Sequence, residues 1–177
     1  MAGDGRLRLF CALRLPDETV AAVERWQARE LHGGRIVSPD RLHLTLAFLG
    51  SRPPGDVPAV AGALRAAARE AAGIRLRVRG YREGRSVGML TFDDDEGRAA
   101  ALAGRLHDRL EALGVYRRER RPWLPHLTVL RFRERPRLRP ALPELGAVAP
   151  SDAAVFMSRL RPGGAEYEVL ETAALGG

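Results

Sequence analysis

Two short segments of the chain, His43-Leu44-Thr45-Leu46 and His126-Leu127-Thr128-Val129, alternate polar and apolar residues in the same phase. In an extended strand, residues i and i+2 share a face. Each segment therefore sets an imidazole beside a hydroxyl on one face and apolar side chains on the other. A fold containing both strands must bury two apolar faces, and bringing the two polar faces together would enclose one small site. Only four histidines occur in the chain, and two of them lie in this frame.

Two imidazoles and two hydroxyls around one cleft can cleave a phosphodiester without a metal. In-line displacement at phosphorus needs a base on one side and an acid on the other. Histidine serves either role because its ordinary pKa is about 6.5. Proton transfer from a positioned side chain is worth roughly 10²–10⁴ in rate. A threonine two residues along can donate its hydroxyl to a nonbridging oxygen, and β-branching restricts its χ1 in a strand. No Asp or Glu lies within or next to either segment, so a metal site is not expected. The chain has neither a Gly-x-x-x-x-Gly-Lys-Ser/Thr loop nor a Gly-x-Gly-x-x-Gly fingerprint, which argues against nucleoside triphosphate or dinucleotide chemistry.

At 177 residues, with 45% hydrophobic and 29% charged residues, the sequence reads as one globular domain spanning 1–177. No apolar run is long enough to span a bilayer. The polar start, Met1 to Arg8, leads into a strand pattern rather than a signal-peptide core, so the chain is read as cytoplasmic. Cys11, the single cysteine, falls in the alternation Leu7, Leu9, Cys11, Leu13 and is expected to be a buried small residue. The net charge of +7 suggests an anionic partner such as nucleic acid. All 29 basic residues are arginine, a bias typical of a GC-rich genome, so their placement says more than their number.

The predicted elements run β-α-β-α-β-β-α-β-β-β. A strand over Arg6–Leu13 is followed by a helix capped by Asp17 that carries Val20, Val23 and Trp26. The first signature strand, Leu42–Phe48, comes next. A helix over Val57–Ala72, strands at Ile74–Val78 and Val87–Phe92, and a helix from about Glu96 to Leu113 follow. The second signature strand, Trp123–Phe132, precedes an irregular Arg133–Pro150 segment and a terminal hairpin of Ala153–Leu160 and Tyr167–Thr172. This order suggests an α+β fold with mostly antiparallel sheet and a degenerate internal duplication.

The extended motifs resemble the two-histidine phosphoesterase superfamily, and within it the RNA 2′,3′-cyclic phosphodiesterases, also called 2′-5′ RNA ligases. The resemblance rests on Arg8-Leu9-Phe10-Cys11-Ala12-Leu13, on His43 through Gly50, and on Arg121-Pro122-Trp123-Leu124-Pro125-His126-Leu127-Thr128-Val129-Leu130-Arg131. The hairpin residues Ser158-Arg159-Leu160, Gly164 and Tyr167-Glu168-Val169-Leu170 add to it. It implies two pseudo-symmetric lobes with antiparallel sheets around a central cleft and helices outside. It further implies opening of an RNA 2′,3′-cyclic phosphate to a 2′-phosphate with no metal or other cofactor. His43 would then be the proton donor and His126 the proton acceptor, with Thr45 and Thr128 binding the phosphate.

Arg131 matches a basic position after the family's second signature and could neutralise the phosphate. Strict alternation, however, places it on the face opposite His126, so this role requires a bulge or a curled side chain. The Gly88–Phe92 strand and the following Asp-rich turn depart from the family pattern. Arg117, Arg118, Arg120 and Arg121 could line the cleft mouth or form a solvated loop. Phe10 and Trp123 could stack on a base, whereas Phe48, pointing away from His43, is expected in the core. His32 and His107 are read as solvated or locally bonded. The partner implied is an RNA with a 2′,3′-cyclic phosphate end or a related nucleotide, bound by a monomer. Three other readings stay open: 2′-5′ RNA ligation or cleavage, small cyclic-nucleotide hydrolysis, and a non-catalytic nucleotide- or RNA-binding cleft.

Overall fold

The strand β1 (Leu7–Arg14) has no polar residue from Leu9 to Leu13 because both of its faces are covered. Leu9, Cys11 and Leu13 join the main core, while Phe10 and Ala12 pack with Ala154 and Phe156 in a second cluster. Full burial pushes the Cys11 thiol up to about 12, as suits a packing residue rather than a nucleophile. These features come from a computed structural model that describes residues 5–176. The expected polar lead-in at Met1–Asp4 lies outside the described residues, as does Gly177.

Helix α1 (Asp17–Glu30) starts directly after Pro16. Asp17 does not cap it with its side chain; Asp17 and Glu18 instead place negative charge in the first turn, against the positive helix end. A two-residue strand β2 (Arg35–Ile36), too short to be read from periodicity, and a 3₁₀ turn at Pro39–Arg41 lead into β3 (His43–Arg52). Helix α2 (Val57–Ala68) ends earlier than its Ala-rich composition predicts. Strands β4 (Arg77–Glu83) and β5 (Val87–Asp93) form a hairpin ahead of α3 (Arg98–Ala112). The Asp94 carboxylate accepts the backbone N–H groups of Ala99 and Ala100 at 3.3 and 2.9 Å, capping that helix. The Asp-rich turn is therefore a helix start. Strand β6 (His126–Arg131) begins only at the histidine, and β7 (Asp152–Arg161) and β8 (Gly164–Ala174) close the chain.

The strands form two antiparallel sheets, ordered β3-β1-β7-β8 and β2-β6-β5-β4. Two units correspond: β1-α1-β3 in the first sheet and β5-α3-β6 in the second. In each, a helix joins antiparallel neighbours and packs against the other unit's sheet. Trp26 of α1 meets Tyr81 of β4 with ring centroids 6.4 Å apart, and Gln27 reaches β6. His107 of α3 reaches β3. One hydrophobic core takes in Leu44 and Leu46, Leu127 and Val129, and the buried faces of all three helices. No helix among the described residues is long and apolar enough to cross a membrane.

Neither signature strand keeps strict alternation. Opposite β1, Thr45 pairs with Ala12 and Ala47 with Cys11, leaving Leu46 unpaired. Opposite β5, Thr128 pairs with Met89 and Leu130 with Gly88, leaving Val129 unpaired. Each is a β-bulge three residues after the histidine. The bulged residue and its successor both turn inward, so the residue five after the histidine joins the histidine's face. That residue is Phe48 in one strand and Arg131 in the other. The expectation that Phe48 belongs to the core is thus incorrect: it is 58% exposed and its ring lies 5.4 Å from that of Phe10.

Candidate active site

Leu44, Leu46, Leu127 and Val129 are fully buried, which fixes the outward direction of His43, Thr45, His126 and Thr128. β3 and β6 pack against each other, so the two polar faces share one cleft. The indole N–H of Trp123 donates to the Thr45 carbonyl at 2.9 Å and ties the second signature's approach to the first signature's strand. Trp123 is half-buried.

Each imidazole is held from behind by the backbone two residues earlier. His126 Nδ1 lies 3.1 Å from the Leu124 carbonyl, and the Arg41 carbonyl hydrogen-bonds the His43 ring. A carbonyl can only accept, so the ring nitrogen facing it carries the proton. In the neutral ring, Nε2 is then the lone-pair nitrogen. In His43 that nitrogen accepts the Thr45 hydroxyl, 3.1 Å away.

The surroundings of the two histidines differ. The His43 ring lies 4.9 Å from Phe10, 5.8 Å from Phe156 and 5.3 Å from Tyr167, which meets it edge-on. Phe10 is buried beneath the imidazole and cannot stack on a base; the exposed ring on that face is Phe48. His43 is pushed down to about 4, chiefly by burial, with the Arg41 carbonyl opposing the shift and the charges of Arg131 and His126 adding to it. The bulge at Val129 turns Arg131 to the face of His126, where its charge is felt by His43.

A measurable consequence concerns His43. In the free protein, an NMR titration should find its midpoint near 4. A phosphate anion in the cleft should raise that midpoint by roughly 1–3 pH units. Below pH 6.5 the unfolded chain binds a proton that the folded chain resists. Stability is therefore intact above 6.5 and falls by on the order of 3 kcal/mol as pH drops toward 4. A midpoint near 6.5 in the free protein would contradict the burial argument.

The backbone carbonyl of each bulged residue is met by a polar side chain from the other unit's helix. His107 Nε2 donates to the Leu46 carbonyl at 2.7 Å, and Gln27 Nε2 donates to the Val129 and Val37 carbonyls at 3.0 Å each. His107 is thus neither solvated nor locally bonded. Its place on the apolar face of α3, beside Leu106 and Leu110, was a usable signal; Gln27 gave none. Arg118 is tied to Glu111 and Asp108 by ion pairs, while Arg117, Arg120 and Arg121 are exposed. His32 is exposed at the end of α1. Among the described residues, no three His, Cys, Asp or Glu side chains gather in a metal-binding group.

Facing His-x-Thr strands from two antiparallel sheets define a two-histidine phosphoesterase. The family model described as the 2′-5′ RNA ligase superfamily matches residues 15–161. The RNA 2′,3′-cyclic phosphodiesterase of Thermus thermophilus is 34% identical, over 97% of this chain and 91% of that protein. A crystal structure of a Thermus thermophilus protein superposes with a TM-score of 0.83 at 31% identity, covering 97% of this chain and 99% of that one. Apo LigT of E. coli superposes with a TM-score of 0.82 at 26% identity, with the same coverage, and LigT has also been crystallised with 3′-AMP. The chain belongs to the 2′-5′ RNA ligase superfamily.

Proposed function

We propose that this phosphoesterase opens the 2′,3′-cyclic phosphate of an RNA end to a 2′-phosphate, without a metal, by proton transfer through its paired histidines. The observation that carries the reading is the matched pair of imidazoles. Each has one ring nitrogen fixed by a backbone carbonyl, which leaves the other for the shared cleft; in His43 that nitrogen meets the Thr45 hydroxyl. The Thermus relative's named activity and the net charge of +7 point to RNA as the substrate. The common core of the two lobes supports their acting as one domain over residues 1–177.

In the proposed reaction, His126 Nε2 removes a proton from water as its oxygen bonds to phosphorus. The bond from phosphorus to the 3′ oxygen breaks, and His43 Nε2 protonates that oxygen. The product carries a 2′-phosphate and a 3′-hydroxyl, and proton exchange with solvent resets the two rings. His43 must enter this step protonated, although it is neutral in the free protein at pH 7. The bound phosphate anion supplies the missing stabilisation. Protonation also fills the Nε2 lone pair, which frees the Thr45 hydroxyl to donate to a phosphate oxygen. Thr128 and Arg131 would serve the remaining oxygens. Pseudo-symmetry allows a substrate seated the other way round to exchange the two histidine roles.

The test is an oligoribonucleotide with a 2′,3′-cyclic phosphate end, incubated with the protein and excess chelator, with the product mapped. A 2′-phosphate is expected. Activity only on added metal refutes the metal-free reading. Turnover confined to small cyclic nucleotides or to 2′-5′ linkages refutes the substrate assignment.

A further inference from the structure

Beside the cleft, three arginines converge without a counter-charge among the described residues. Arg35 of β2 sits directly opposite Arg131 of β6 in the antiparallel register. Like charges at such a pair are destabilising. The Arg41 side chain joins them from the 3₁₀ turn, beneath the tip of the β7–β8 hairpin. A Cβ added to Gly164 would lie 2.8 Å from Arg41 Nη1 and 3.4 Å from Arg35 Nη1. The two guanidinium groups therefore reach the same spot, over a glycine whose φ of +119° and missing side chain leave them room. Arg35 also donates to the Gly163 carbonyl at 3.5 Å.

Among the described residues, Arg35, Arg41 and Arg131 have no carboxylate partner. On the hairpin alongside, Arg159 and Arg161 are paired with Glu168 and Glu166. The Arg41 Nε is also buried with no hydrogen-bond partner among the described residues. A cluster of unpaired cations with an orphaned donor costs stability unless an anion completes it. Guanidinium groups suit phosphate, which they can bind in bidentate geometry.

We propose that Arg35 and Arg41 form a second phosphate subsite, next to the one that holds the cyclic phosphate, with Arg131 between the two. The proposal rests on the activity proposed above and names its substrate class: a polynucleotide end rather than a mononucleotide. A cyclic mononucleotide offers one phosphate, which the histidines, threonines and Arg131 occupy. An RNA strand carries a further phosphodiester on the 5′ side of its last nucleotide, and that group is assigned to Arg35 and Arg41. The basic segment at Arg117–Arg121 is not needed for this contact.

The experiment compares a 2′,3′-cyclic mononucleotide with an oligoribonucleotide ending in the same group, for the wild type, Arg35→Gln, Arg41→Gln and the double variant. The ratio of kcat/KM values, oligonucleotide to mononucleotide, should fall about tenfold or more in the double variant, through KM. The salt dependence of oligonucleotide binding should flatten by about one in log–log slope for each arginine removed. A parallel arm measures binding of an oligoribonucleotide with a 2′-phosphate end against a nucleoside 2′-phosphate, and should show the same selective loss. This arm needs no turnover. A protein that turns over neither substrate defeats the proposed activity, while the binding arm still decides the subsite. Equal losses on both substrates, or no loss, overturn the subsite, as does a ratio that shifts with Arg117→Gln but not with Arg35→Gln and Arg41→Gln.

Discussion

His126→Ala and His43→Ala each lower kcat on an RNA 2′,3′-cyclic phosphate end by about 10²–10⁴, the range associated with losing one positioned proton-transfer group. The two losses should not add. Base and acid act on the same in-line displacement, so once one is missing the other has little left to assist. The double variant should therefore lie close to the weaker single variant. KM should change less than kcat, because Thr45, Thr128 and Arg131 still hold the phosphate. His126 is only half-buried, so its removal should leave the fold intact. His43 is packed among Phe10, Phe156 and Tyr167, so its variant requires a melting curve beside the rate. His43→Gln, closer in volume, separates lost chemistry from lost packing. Near wild-type turnover in either folded variant would defeat the paired-histidine mechanism. A full multiplicative loss in the double variant would show that the two rings serve separate steps.

The signatures were legible because they are local. Polar–apolar alternation at His43–Leu46 and His126–Val129 is enough to place two imidazoles and two hydroxyls on exposed strand faces. The alternation of β1 and the turn at Pro162–Gly164 were legible for the same reason. What failed was extrapolation beyond the signature. Phe48 and Arg131 were assigned to faces by counting in twos, but a bulge lies between each of them and its histidine. A bulge is a relation between a strand and its partner, here β1 and β5, and nothing in the residues of β3 or β6 announces it. Nor could Arg35 and Arg41 be seen as a pair. They meet only because the hairpin tip at Gly164, far along the chain, folds over both. The exact start of α3 was missed by two residues, because Gly97 takes a left-handed φ of 67° and Asp94 caps across it.

Two side chains that never enter the cleft should also affect turnover. If the bulges turn Phe48 and Arg131 into the site, whatever holds the bulges holds the site. The carbonyls of the bulged residues Leu46 and Val129 lie in the core, where an unmet carbonyl is costly. His107 and Gln27 meet them from α3 and α1, each helix serving the other unit's strand. The Gln27 Oε1 is itself buried with no hydrogen-bond partner among the described residues, so the contribution of this side chain lies in its amide N–H groups. His107→Leu should lower stability by about 1–3 kcal/mol, since the Leu46 carbonyl loses its side-chain donor. Gln27→Leu should lower it less: the Val37 carbonyl loses a donor, but the Val129 carbonyl keeps the Val37 N–H at 3.1 Å and the buried, unpartnered Gln27 Oε1 is removed with the side chain. Both should lower kcat/KM by roughly 10–10², because an error of about 1 Å in a positioned group can cost a hundredfold, and Gln27→Leu should also raise KM, since the bulge it supports aims Arg131. For Gln27→Leu, activity and stability should therefore part company, which a purely structural residue would not produce. His107→Gln retains a donor at the same place and should recover most of both. Should either leucine variant fold and turn over at the wild-type rate, the strands hold their own bulges and the helices only cover them.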